Sequence, residues 1–331
     1  MNVPDYDLPE EAIAQVPVEP RDSSRLLVAL GGTAETVQHL RVADLPSLLG
    51  EGDVLVVNTS RVVPARLTLR KRSGGAAEVL LLEPLPEHPG SWEALVRPGR
   101  RLAPGAVLYA DDEAVVEVGD RRPGGNRIVK SLVADLSDFG SVALPPYIHR
   151  DLVDPERYQT VYSDRPGSVA APTAGLHLTE RVLAGCLSRG VQVVPVDLAV
   201  GVGTFRPIKA GDVEAHSMHA ERYRVPPETW DACRGAKRVV AVGTTTVRAL
   251  ESAAATGIME GRTELYMRPG HDFGVVDVLM TNFHQPRSTL LVLLEAFAGP
   301  RWRELYAVAL AEGYRFLSFG DAMVVGRHVQ A

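Results

Sequence analysis

The sequence predicts an α/β protein in which a large α/β domain is interrupted by an inserted small β-barrel domain. Three observations carry this. Between residues 66 and 133, short strand-like runs are separated by clusters of Gly, Pro and Ser, the spacing of a small barrel or sandwich. Outside that stretch, apolar strand-like runs alternate with segments of helical periodicity, which implies a partly parallel sheet covered by helices. Leu144-Pro145-Pro146-Tyr147 cannot be helix interior and marks the end of the short-strand region. The expected division is residues 1–65 plus 150–331 as one discontinuous α/β domain, with residues 66–149 as the insert.

The elements follow in order. Asp53–Val57 is an apolar run followed by Asn58. The insert's strands are expected at Arg66–Leu69, Ala77–Leu82, Trp92–Val96, Ala106–Tyr109, Ala114–Val118 and Arg127–Val133. Ser73-Gly74-Gly75, Pro84–Gly90, Arg97-Pro98-Gly99, Pro104-Gly105 and Pro123-Gly124-Gly125 supply the turns. Thr179–Arg189 places Val182, Leu183, Cys186 and Leu187 on one helical stripe, and Gly190 suits the residue just past a helix end. Strands are expected at Val191–Val200, Arg238–Val242 and Val275–Met280, and helices at Thr246–Ala255, Thr289–Ala298 and Trp302–Glu312.

Composition narrows the class. The 331 residues are 45% hydrophobic and 23% charged, an ordinary globular balance for a chain long enough to build its core without disulfides. Two cysteines, Cys186 and Cys233, exclude a disulfide framework and point to a reducing, cytoplasmic compartment. The acidic opening MNVPDYDLPEEAIAQ is not expected of a signal peptide, and the apolar run Leu290–Leu294 is far shorter than a membrane span. The net charge of −6 argues against a protein that coats nucleic acid. Charge is unevenly placed, however: residues 61–130 hold twelve basic and nine acidic residues, a local +3 that leaves −9 for the rest. That stretch is either a solvated mixed surface or one that faces phosphates.

Four segments carry chemistry. Val239–Val242 leads through Gly243 into Thr244-Thr245-Thr246 and a helix bearing Arg248, which offers N–H groups, hydroxyls and a cation to a carboxylate or phosphate; a plain helix cap is the simpler reading. Val202-Gly203-Thr204-Phe205-Arg206-Pro207 combines close backbone approach with charge but lacks the Lys-Ser/Thr pair of a phosphate loop. Pro172-Thr173-Ala174-Gly175-Leu176-His177 puts a titratable imidazole just before a helix, where a hydrogen-bonded loop histidine is the simpler reading. His216 and His219, with Glu221 nearby and His284 as a third candidate, have metal-ligand spacing; on a strand His219 and Glu221 share a face that His216 does not, which suits an acid/base pair better.

These motifs, in this order, make the chain resemble the S-adenosylmethionine:tRNA ribosyltransferase-isomerase family of queuosine biosynthesis. The similarity runs nearly end to end. It begins with Asp5-Tyr6-Asp7-Leu8-Pro9, Arg21-Asp22-Ser23-Ser24-Arg25-Leu26, Arg61–Leu67 and Leu144–Ile148. It continues through Ala171–His177, Val202–Pro207, Met218-His219-Ala220-Glu221, Val242–Thr245 with Arg248, and Glu251-Ser252. Thr281-Asn282-Phe283-His284, Ser288-Thr289-Leu290 and Gly320-Asp321-Ala322-Met323 complete it.

The resemblance implies a large α/β domain with an inserted barrel. It implies transfer and isomerisation of the ribosyl moiety of S-adenosylmethionine onto 7-aminomethyl-7-deazaguanine at the wobble position of a tRNA. Epoxyqueuosine forms, adenine and methionine are released, and S-adenosylmethionine serves as co-substrate. No metal, no membrane and a monomer are expected. Such chemistry needs a base at the acidified 5′ carbon, an acid for departing adenine and a neutral acceptor amine. His177, His219, Glu221, His284 and Asp321 are the candidates for those proton transfers. Arg206, Thr244, Thr245 and Arg248 are candidates to hold the methionine carboxylate or a tRNA phosphate, and Asp277 either binds a ribose hydroxyl or has a structural role at a strand end. Arg61, Thr173, Gly175, Gly203, Thr204, Phe205 and Asn282 complete the candidate binding set.

Three positions depart from the family pattern. Thr59 stands where an Asp is usual, Ala199 where a His is usual and Gln285 where a Leu is usual. They fit either lineage variation around an unchanged site or a relative that uses a non-tRNA nucleoside acceptor. A non-enzymatic RNA-binding protein and a His-rich metal hydrolase are the remaining alternatives. Adenine release from S-adenosylmethionine would exclude the first, and metal analysis of the purified protein would decide the second.

Overall fold

The computed structural model describes residues 3–31, 37–99, 101–201, 208, 218 and 220–328. The chain divides into two compact units. One comprises Met1–Arg61, Pro145–Arg165 and Ala171–Ala331, the other Val62–Leu144 and Pro166–Ala170.

In chain order the first strands are β1 (Arg25–Ala29), β2 (Gln38–Arg41), β3 (Asp53–Asn58) and β4 (Ser60–Val62). Next come β5 (Arg66–Lys71), β6 (Ala76–Pro84), β7 (Ser91–Arg97), β8 (Ala106–Ala110), β9 (Glu113–Arg121), β10 (Arg127–Ser131), β11 (Gly140–Ser141) and β12 (Arg165–Ser168). The C-terminal half runs α1 (Glu180–Ser188), β13 (Gln192–Leu198), β14 (Glu221–Arg224), α2 (Pro227–Gly235), β15 (Arg238–Val242) and α3 (Thr244–Thr256). It ends with β16 (Glu260–Thr263), β17 (Val278–Asn282), α4 (Thr289–Ala298), α5 (Trp302–Ala311) and β18 (Ala322–Gly326).

The smaller unit is a closed barrel. Strands run β5-β6-β7-β10-β9-β8, and β8 returns to β5 through Arg70 opposite Tyr109 and Lys71 opposite Leu108. Alternation builds it: Leu67 and Leu69 of β5 are buried while Arg66, Thr68 and Arg70 are exposed. Closure removes the free strand edges that an open sheet of this length would carry.

The larger unit is built on a nine-stranded sheet, β16-β14-β13-β3-β15-β17-β18-β1-β2. Its centre is parallel: β13, β3, β15 and β17 run side by side in one direction. All six residues of β3 are buried, as expected of a strand covered on both faces. Asp53 at its start accepts from Arg238 Nε (2.9 Å) and Nη2 (2.5 Å), which fixes the register of β3 against β15. Helix α1 is held at its start by Thr179, whose Oγ1 accepts from Val182 N, and it buries Val182 and Cys186 in the core with Leu55, Val57 and Val240.

The strand expected from Val275 starts only at Val278. Buried Glu251 on α3 explains the delay: its carboxylate accepts from the N–H groups of Gly274, Val275 and Val276, so those donors go to a side chain rather than to a neighbouring strand. Among the described residues, no helix is long and apolar enough to cross a membrane.

Candidate active site

Parallel strands deliver their carboxyl ends to one edge of the sheet, and loops at that edge are where α/β proteins place ligands. Here β3 ends at Asn58, β15 leads into Thr244 and Thr245, and β17 ends at Asn282. Asn58 binds this edge together. Its Oδ1 accepts from Leu198 N and Ser60 N, both at 3.1 Å, and its Nδ2 donates to Leu198 O (3.0 Å) and Thr245 Oγ1 (3.2 Å).

His177 is 4% exposed and lies at the end of the 3-10 turn Thr173–His177. Asn282 Nδ2 donates to its Nε2 (3.0 Å), so Nδ1 carries the proton and donates to Ser24 Oγ (2.9 Å), which donates onward to Arg21 O. The orientation of Asn282 is set by its other contacts: Oδ1 accepts from Thr173 Oγ1 (3.0 Å), and Nδ2 also meets the carbonyls of Leu317 and Asp321. Burial, then the charges of Arg157, Arg315 and Arg21, pushes the His177 imidazole down to about 3. It is a neutral ring with both nitrogens engaged. Gly175 in the same turn permits close packing, since a Cβ there would lie 2.2 Å from the Tyr162 hydroxyl.

Asp321 is held by the backbone: its two carboxylate oxygens accept from Arg25 N (2.9 Å) and Arg315 N (2.8 Å). His284 is 7% exposed, its Nε2 meets Thr281 Oγ1 (3.0 Å), and burial pushes it down to about 3 as well. It lines an open pocket together with Thr173, Asn282, Gln285 and Ser288. Tyr147 and Ser318 line it as well, their hydroxyls 2.7 Å apart. Hydroxyl, amide and imidazole groups therefore face this pocket without a formal charge among them.

A second pocket opens at the start of α3, lined by Thr244, Thr245, Arg248 and Thr289 with Met218, Tyr266, Met267 and Leu293. Gly243 precedes the helix at φ +89°, a value that favours glycine, and no side chain caps the helix. The simpler reading of the threonines as caps does not hold: Thr246 Oγ1 donates back to Val242 O (2.7 Å), and Thr245 Oγ1 serves Asn58. Arg248 is 4% exposed and its Nη1 donates to Glu221, which is 7% exposed and also accepts from Gly201 N (2.9 Å). Burial lowers the Arg248 guanidinium to about 10. Two residues read from sequence as a base and an anion holder are thus each other's partner.

Residues 2–325 match the family model described as a queuosine biosynthesis protein. The chain belongs to that family. A relative from Thermus thermophilus, named S-adenosylmethionine:tRNA ribosyltransferase-isomerase, is 51% identical across 97% of this chain and 98% of its own. One of the same name from Rubrobacter xylanophilus is 49% identical across 97% and 96%. The crystal structure of an S-adenosylmethionine tRNA ribosyltransferase from Thermotoga maritima is 37% identical with a TM-score of 0.56, covering 97% of this chain and 99% of that one.

The other queuosine-family motifs fall in different places. Arg61 is partly exposed and meets Glu156 (2.5 Å) and Ser163 (3.0 Å), apart from both pockets. Asp277 accepts from Val239 N (2.9 Å) and pairs with Arg327. Gly203, Thr204, Phe205, Arg206, His216 and His219 lie outside the described residues. Among the described residues, no group of three or more His, Cys, Asp or Glu is placed to hold a metal ion. Of the three departures, Thr59 Oγ1 donates to Val196 O, Ala199 N donates to Arg222 O, and Gln285 alone lines a pocket. Sequence reading did not assign Asn58, Ser24, Thr281 or Thr289 a role. A polar residue directly after a buried strand, as Asn58 is after Asp53–Val57, was the available signal.

Proposed function

We propose that this chain transfers and isomerises the ribosyl moiety of S-adenosylmethionine onto 7-aminomethyl-7-deazaguanine in tRNA, releasing adenine and methionine. The observation that carries the reading is near-complete coverage, at about half identity, by relatives named for that reaction. The two pockets at the carboxyl edge of the sheet support it, one uncharged and hydrogen-bonding, one apolar with a cation and a helix start.

In this reading the residues divide by role. His284 is the imidazole at the uncharged pocket, and being neutral it meets substrate as a hydrogen-bonding group or weak base, not as an imidazolium acid. His177 is a positioning residue that fixes the Asn282 carboxamide. Asp321 orders the turn from which Asn282 takes its carbonyl contacts. Glu221 and Arg248 work as a pair at the second pocket, and His219 and Arg206 remain candidates for proton transfer and anion binding. Exposed Arg70, Arg72, Arg97, Arg101 and Lys130 of the barrel unit are the candidates to meet tRNA phosphates. The enzyme acts as a monomer in the cytoplasm.

Incubation with S-adenosylmethionine and tRNA bearing the aminomethyl-deazaguanine base should release adenine stoichiometrically with modified tRNA. Absence of adenine from folded protein would remove the reading. Release with a free nucleoside but not with tRNA would favour the other acceptor.

A further inference from the structure

The two pockets meet at one residue. Leu290, at the second position of α4, lines both. The residues before it split between them: Ser288 lines the uncharged pocket and Thr289 the pocket at α3. A single ligand lying across the start of α4 would reach both.

Their chemistries differ in a way that orients such a ligand. The first offers amide, hydroxyl and neutral imidazole groups beside Phe283 and Leu317, which suits the edges and faces of a neutral heterocycle. A carboxylate there would find no counter-charge among the lining residues. The second offers Met267, Leu265 and Leu293 to an aliphatic chain, and at its end the start of a thirteen-residue helix without a side-chain cap. The leading N–H groups of a helix favour an anion. An independent observation marks this pocket as built for a polar group: Thr289 is 5% exposed, and its hydroxyl has no hydrogen-bond partner among the described residues. A buried hydroxyl left without a partner is costly, and a bound ligand would supply one.

We infer that S-adenosylmethionine lies astride the start of α4, with adenine in the pocket of Asn282 and Gln285, and with its methionine carboxylate between Thr289 and the first turn of α3. This rests on the proposed function and assigns its substrate's two ends. The ribose, which the reaction transfers, then lies over Leu290. Arg248 adds to the field at the carboxylate end, but its charge is already answered by Glu221, so the helix start and the hydroxyls make the direct contacts.

Two probes separate the ends: S-adenosylhomocysteine carries both, and 5′-methylthioadenosine carries only the nucleoside. Titrated against the intact protein, Thr289→Val should weaken S-adenosylhomocysteine about tenfold and leave methylthioadenosine unchanged. Thr289→Ser should restore the loss, and Gln285→Ala should weaken both probes alike. Equal loss of both probes in Thr289→Val, or no loss of either, overturns the assignment. Hydrogen exchange on the unsubstituted protein tests it without any variant. S-adenosylhomocysteine should protect amides at residues 244–248 and methylthioadenosine should not; equal protection overturns it. If the unsubstituted protein releases adenine in the tRNA assay while these patterns fail, only the orientation falls. If it neither binds S-adenosylhomocysteine nor releases adenine, the proposed function falls.

Discussion

Among the described residues, each unit buries one arginine almost completely, and the two are satisfied in opposite ways. Arg127 in the barrel is 1% exposed and donates only to backbone carbonyls, those of Gly119, Leu102 and Gly99. Arg248 in the α/β unit is 4% exposed and meets a carboxylate, that of Glu221. A cation held by neutral carbonyls ties strands and turns of the barrel together and leaves no partner to release. A cation held by a carboxylate beside a pocket keeps two opposite charges out of water where a ligand can redistribute their contacts. The difference teaches that two equally buried arginines can be told apart by the kind of partner each has and by the empty space beside it.

The comparison can be broken most sharply at the ion pair. Arg248→Met or Glu221→Ala alone should cost about 3–5 kcal/mol in urea unfolding, because each leaves a buried charge unpaired. The double variant Glu221→Leu with Arg248→Met should cost much less than the two single losses together. Arg127→Met, which strands only neutral carbonyls, should cost about 1–3 kcal/mol and leave adenine release intact. If the Arg127 variant proves the more damaging of the two arginines, the distinction fails.

A pH series sharpens the same contrast, since the buried imidazoles belong to the α/β unit. His177 and His284 are pushed down to about 3 from the ordinary value of 6.5. In the unfolded chain they take up protons below about pH 6.5, whereas in the folded chain they resist until about pH 3. Their contribution to stability is therefore fully present above pH 6.5 and is lost as pH falls toward 3. The slope is up to about 1.4 kcal/mol per pH unit for each ring. Thermal unfolding between pH 7 and 4 should steepen accordingly, and His177→Asn should flatten it by about half. An unchanged slope in that variant removes His177 from the buried neutral set.

The smallest effect is expected at the barrel surface. Arg70→Ala should lower the salt dependence of tRNA binding by less than one unit of log–log slope and leave S-adenosylmethionine affinity unchanged. An unchanged slope in Arg70→Ala, Arg97→Ala and Lys130→Ala alike removes this wall from the tRNA surface.

Much of the architecture was legible in the residues. Arg238–Val242 and Thr289–Ala298 carry their pattern in their own neighbours, and structure and expectation coincide there. The short edge strands β2 and β16 were not read, because their pairing depends on distant partners rather than on local periodicity. Charge counting was likewise coarse. Of the twelve basic residues at 61–130, Arg127 is buried, while Arg66 and Arg122 are paired with Glu78 and Glu87.

The sequence alone determined the family, the two-part architecture and which segments bear chemistry, because ordered motifs and hydrophobic periodicity are local properties. Tertiary structure alone decided what those side chains touch. It set His177 against Asn282 and Ser24, closed Glu221 on Arg248, and left the Thr289 hydroxyl facing a pocket. A proton acceptor, a charge and a free hydroxyl are defined by what lies within hydrogen-bond distance and by how much water is excluded, and both are set by residues remote in the chain.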